Sequence, residues 1–102
     1  MPRDGPMLYL IAYDVATTTP GGPRRLRRVA RACEDYGQRV QYSVFECLVE
    51  PEQWILLRSA LLEIIDPSQD SLRIYPLDEN ARRRIEHVGR KAAVDFEGPL
   101  IL

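Results

Sequence analysis

The sequence predicts an α+β domain: an antiparallel sheet carrying two helices on one face. Three observations lead there. Apolar runs of strand length, Met7 to Val15 and Arg39 to Val49, alternate with stretches whose apolar residues recur every three or four positions. Proline and glycine separate these segments. The resulting order is strand, helix, extended pair, helix, strand, short helix and a candidate strand near Val94–Phe96. Right-handed crossovers close that order into one open sheet.

Each element has its own signal. Met7 to Val15 is apolar on both sides, which predicts a central strand. The loop Ala16-Thr17-Thr18-Thr19-Pro20-Gly21-Gly22 leads to Pro23, suited to a first helical position, and Gly37 suits the C-terminal cap. Between them Leu26, Val29, Ala30, Cys33 and Tyr36 form one apolar stripe. Arg39 to Val49 reads as extended, with a break near Tyr42–Ser43. Pro51 opens a second helix, with Trp54, Leu57, Leu61 and Ile64 along one face, and Asp66-Pro67 ends it. Ser71 to Leu77 is a strand placed at an edge by Pro76. Asp78-Glu79-Asn80 caps a short helix carrying Ala81, Ile85 and Val88, with Gly89 after it. This is the ferredoxin-like βαββαβ arrangement. It leaves an apolar sheet face bare, and a two-fold homodimer, sheet facing sheet, covers it with one operation.

At 102 residues, with 45% hydrophobic and 28% charged residues, the chain has the size and composition of one globular domain. The expected division is a single domain over 1–102, its core at about 7–77 and a C-terminal extension at 78–102. Cys33 and Cys47 match no zinc or redox spacing and read as buried packing residues. No leader pattern and no membrane-spanning apolar run is visible, so the expected location is cytoplasmic, with no membrane partner.

The net charge of −1 points to no particular partner, but the distribution does. Five arginines fall between Arg24 and Arg31, and Arg82, Arg83, Arg84, Arg90 and Lys91 form a second cluster. Thirteen of the fourteen basic residues are arginine, which suits phosphate binding and equally follows from a GC-rich genome. Arg24, Arg25, Arg27 and Arg28 at a helix start oppose the helix dipole and repel one another, strains that a bound phosphate relieves. A solvated basic face is the plain alternative. Asp14, the only acid between Asp4 and Glu34, closes the first strand and is expected to face those arginines. It is either a turn residue or an oxygen ligand for Mg²⁺ or Mn²⁺, and a dimer axis nearby supplies two such carboxylates. Ser43 and Phe45 share a strand face as a packing pair or as part of a site. Tyr9 and Tyr13 share a face as well and are candidates to stack bases. His87 is the only histidine, which leaves no basis for triad chemistry or a histidine-rich metal site.

With these strings in view, the chain resembles the CRISPR-associated Cas-two family, small ferredoxin-like dimeric proteins. The resemblance rests on Leu10-Ile11-Ala12-Tyr13-Asp14-Val15, the basic helix Arg24 to Tyr36 closed by Gly37, Arg39-Val40-Gln41-Tyr42-Ser43-Val44-Phe45-Glu46, and Asp70-Ser71-Leu72-Arg73-Ile74-Tyr75-Pro76-Leu77. It covers about residues 7–77 in order. It implies a metal-dependent endonuclease acting on single-stranded RNA or duplex DNA, and a partnership with the Cas-one integrase in spacer adaptation. By position it implies Asp14 as the catalytic, metal-binding acid. Arg28 and Arg39, with Arg25 and Arg24 beside them, become nucleic-acid contacts, and Tyr13, Ser43 and Phe45 supporting motif residues. The loop Ala16–Gly22 departs from many relatives in carrying no acid, and Cys47 stands where glycine is frequent. Three functional classes follow: a Mg²⁺-dependent nuclease, a non-catalytic dimer holding duplex DNA between integrase subunits, and a toxin-like ribonuclease. Neighbouring genes separate the last from the first two.

Overall fold

The computed structural model describes residues 5–90. Four strands, β1 (Met7–Asp14), β2 (Gln38–Gln41), β3 (Val44–Val49) and β4 (Ser71–Leu77), form one sheet in the order β2-β3-β1-β4, with every pairing antiparallel. Helices α1 (Gly22–Glu34) and α2 (Pro51–Ile64) follow β1 and β3, and a short α3 (Glu79–Arg83) follows β4. This is the ferredoxin-like fold, with β1 central and β4 at an edge.

Strand register divides the two sheet faces. Tyr9, Ile11 and Tyr13 lie beside Cys47 and Phe45 on one side and Pro76, Ile74 and Leu72 on the other. This row meets the helices. Val29 and Cys33 from α1, and Leu57 and Leu61 from α2, are fully buried against Ile11, Phe45 and Cys47. Leu26, Ala30, Tyr36, Trp54 and Ile64 complete the contact, so both expected helical stripes face the core. The Tyr9 ring stacks on Trp54 with centroids 3.7 Å apart, and Tyr13 is buried beside Phe45. Both rings are therefore core residues and unavailable to bases, contrary to the expectation from their spacing. Cys33 and Cys47 are free and buried, the Cys47 thiol donating to the Cys33 carbonyl at 3.7 Å; the neighbouring Cys47 side chain and burial push the Cys33 thiol up, so it stays protonated.

Leu8, Leu10, Ala12 and Asp14 point to the opposite face, in register with Leu48, Glu46 and Val44 and with Leu77, Tyr75, Arg73 and Ser71. Leu8 is shielded beside α3, whereas Leu10, Ala12, Val44 and Leu48 are only half-buried. Among the described residues this face is uncovered, an apolar patch of Leu10, Ala12, Val44 and Leu48 interspersed with Asp14, Glu46 and Arg73.

Two glycines act through geometry. Gly21 caps α1 with φ 83°, a left-handed conformation costly for other residues. Gly37 does not end α1 by positive φ; it lies where a Cβ would come within 2.7 Å of the Cys47 Cα. Close packing of the α1–β2 link on β3, rather than a left-handed cap, explains it. Asp78 caps α3 by accepting from the Ala81 N–H at 2.8 Å, as expected. The helix stops at Arg83, leaving Ile85 and Val88 exposed among the described residues, none of which buries an apolar stripe there. The candidate strand near Val94–Phe96 and the apolar end Leu100-Ile101-Leu102 lie outside the described residues.

Candidate active site

Asp14 ends β1 on the open sheet face and is exposed. Its register partner on β4 is Ser71. On the other side the β2–β3 turn closes against β1, the Tyr13 N–H donating to the Ser43 carbonyl at 3.1 Å. Ser43 thus contributes backbone at the rim of this sheet end. The Asp14 carboxylate makes no hydrogen bond or ion pair among the described residues. The helix-start arginines do not meet it, because Asp14 alternates with Tyr13 onto the face away from α1. That corrects the expected facing of acid and arginines.

The arginine that does return to this end of β1 is Arg25, and its partner is Asp70. Arg25 donates from Nε to Asp70 Oδ2 at 2.8 Å and from Nη2 to Oδ1 at 3.2 Å, a two-pronged pair with the carboxylate fully shielded from solvent. Asp70 also accepts from the Ala16 N–H at 2.9 Å and the Asp66 N–H at 2.9 Å. One carboxylate therefore joins the chain just past Asp14, the start of α1 and the turn before β4. Arg25 holds the Asp70 carboxyl down to about 2, with the two backbone donors adding to the effect. Arg25 is a structural clamp, not the free phosphate contact expected from its neighbours.

The remaining arginines divide into two groups. Arg24, Arg27, Arg28 and Arg31 are exposed on α1 and line one shallow depression, positive throughout. No acid occupies the first turn of α1. Arg39 stands apart on β2. Its guanidinium carbon lies 5.0 Å from the Phe45 ring centre and 5.9 Å from that of Tyr42, with Glu34 a loose partner at 3.5 Å. Burial raises the Tyr13 phenol, and Arg39 pulls against that shift.

Comparison with known proteins decides the family. Residues 7–85 match the family of CRISPR associated protein Cas2. The chain belongs to the Cas2 family. It is 62% identical over 96 residues to the CRISPR-associated endoribonuclease Cas2 of Nitratidesulfovibrio vulgaris, covering 94% of each chain. It is 54% identical to the CRISPR-associated endonuclease Cas2 of Halalkalibacterium halodurans, over 93% of this chain and 99% of that one. The crystal structure of Streptococcus pyogenes Cas2 at pH 6.5 superposes with a TM-score of 0.70 at 52% identity, over 81% of this chain and all of the other.

Within this Cas2 fold, Asp14, Ser43 and Ser71 meet at one sheet end, while the α1 stripe occupies the far side of the helix layer. Among the described residues, no three His, Cys, Asp or Glu side chains group to hold a metal ion. At this sheet end Asp14 offers a hard, open carboxylate, the donor type that Mg²⁺ or Mn²⁺ accepts together with water and phosphate oxygens. One ligand per chain fits such an ion when a second chain adds another. The sequence reading missed the role of Asp70, because its pairing with Arg25 spans 45 residues and leaves no local pattern.

Proposed function

We propose that the protein is a metal-dependent phosphodiesterase that works as a homodimer in CRISPR spacer adaptation with the Cas-one integrase. The observation that carries this is Asp14: an unpaired, solvent-facing carboxylate at the end of the central strand, on an open apolar sheet face. A two-fold axis through that face brings two such acids together, where their repulsion is relieved by a shared cation. A divalent ion, when bound, supplies charge stabilisation at the phosphate and a more acidic water. The chain's own residues hold the rest. Asp14 supplies the ligand oxygen. The Asp70–Arg25 clamp and the Tyr13–Ser43 bond fix the strand end that carries it. Arg39 and the α1 stripe attract the phosphate backbone of single-stranded RNA or duplex DNA. The names of relatives, endoribonuclease and endonuclease, support the reaction class.

The dimer is tested first. Light scattering at micromolar concentration should give twice 11.7 kDa, and a lone 11.7 kDa species sinks the paired-acid mechanism.

A second reading draws on a different observation. The α1 stripe lies away from Asp14, so it can grip duplex phosphates without presenting a bond for cleavage. In this reading the dimer is an architectural bridge between integrase subunits. Both readings expect phosphate-driven binding, weakened by about 0.9 log units per log unit of salt for each duplex contact. Replacing Arg24, Arg27 and Arg28 with Ala should flatten that slope by roughly two to three contacts. Replacing Arg25 should cost fold stability rather than simply weaken binding. An unchanged slope in the triple variant removes α1 from the interface.

A further inference from the structure

We infer that Tyr42 is a base-stacking platform that gives this site a preference for unpaired nucleotides; this deepens the nuclease reading and rests on it. Tyr42 is the most exposed aromatic among the described residues, with 76% of its surface open. It occupies the turn between β2 and β3, where glycine, asparagine or aspartate is the usual choice and nothing in turn chemistry calls for a large ring. The turn has no positive φ to accommodate, so the ring is not a by-product of strain. Its neighbours give it a purpose. Arg39 stands 5.9 Å from its centre, itself braced on the buried Phe45 ring at 5.0 Å. Through the bond from Tyr13 N–H to the Ser43 carbonyl, the same turn is fastened beside the strand end that carries Asp14. Arg39 and Tyr42 share the end of the sheet with Asp14 but on its helix side, since Arg39 pairs with Phe45 while Asp14 alternates with Tyr13 onto the other face; a single strand that curls over this rim to reach Asp14 crosses an open aromatic ring with a guanidinium at its side. Unpaired bases stack on such faces, and arginine adds cation–π and phosphate contacts. Bases inside a duplex have both faces occupied and gain nothing from the ring. Tyr9 and Tyr13, the tyrosines that spacing alone suggested for stacking, are committed to the core.

The experiment uses the full-length wild type and Tyr42→Ala, with Tyr42→Phe as the conservative control. Binding is measured without divalent ions by fluorescence anisotropy on a single-stranded oligonucleotide, on the same strand carrying abasic residues, and on a long duplex. Tyr42→Ala is expected to weaken single-strand binding about tenfold and duplex binding less than about twofold, while Tyr42→Phe stays near wild type. Removing the bases should weaken the wild type about tenfold and leave Tyr42→Ala nearly unmoved. Equal losses on single strand and duplex, no loss on either, or equal sensitivity of both proteins to base removal overturns the stacking role while leaving the nuclease reading intact. Dissociation of the Tyr42→Ala dimer would place the ring in the subunit contact and overturn it too. A wild type that binds none of the three probes overturns this inference together with the proposed function.

Discussion

Asp14→Asn is expected to abolish cleavage, to below about a hundredth of the wild-type rate, while fold, assembly and nucleic-acid binding persist. The expectation follows from where the carboxylate sits. It is exposed and makes no hydrogen bond or ion pair among the described residues, so the amide leaves no buried group unsatisfied and removes no contact from the core. What it does remove is negative charge, from both chains of a dimer at once. A neutral amide binds a hard cation more weakly than a carboxylate does, and excess Mg²⁺ should not restore the rate. The measurement is single-turnover cleavage of labelled RNA and DNA by wild type and variant purified in parallel. Equal rates make Asp14 a turn residue and the observed cleavage a contaminant. If neither protein cuts, yet the wild type joins the integrase and supports spacer acquisition, the architectural reading holds.

The fold was legible because its elements speak locally. A two-sided apolar run can be satisfied only in the middle of a sheet, and Met7–Asp14 lies there. The helical stripes at Val29–Cys33 and Leu57–Leu61 could bury only one face, and they do. What escaped the sequence depends on pairings between distant segments. Nothing near Arg25 distinguishes it from Arg24 or Arg28, yet a partner 45 residues away makes it a clamp. Nor does the Gly37 region announce that β3 lies against it; a glycine after a helix reads equally as a cap. Alternation along β1 did carry the decisive fact about the site. Tyr13 and Asp14 must point to opposite faces, so a buried tyrosine places the acid away from α1. The helix-start arginines lie across the sheet from Asp14, because nearness along the chain is not nearness across the pleat.

The clamp should prove as costly to lose as any core side chain. Asp70→Asn keeps the shape but strands a largely shielded Arg25 cation and turns an amide N–H toward backbone donors. The expected loss is about 3 kcal/mol, a fall in Tm of roughly 10–20 °C for a domain of this size. Arg25→Ala should cost a similar amount, by leaving the shielded carboxylate with only the Ala16 and Asp66 N–H donors. The two changes share one interaction, so together they should cost clearly less than their sum. Acid provides an independent reading. In the folded chain Asp70 is held to about 2, below the roughly 3.9 of a free aspartate. Between those values the unfolded chain binds more protons than the folded one. The clamp's ionic contribution, about 2 kcal/mol, is therefore complete above about pH 4 and lost as pH falls toward 2. Melting curves of wild type and Asp70→Asn should lie far apart at pH 7 and converge near pH 2, since protonation makes the two side chains electrically alike. A gap that persists at low pH would assign the loss to packing. No gap at pH 7 would mean that the strand end carrying Asp14 is held by the sheet alone.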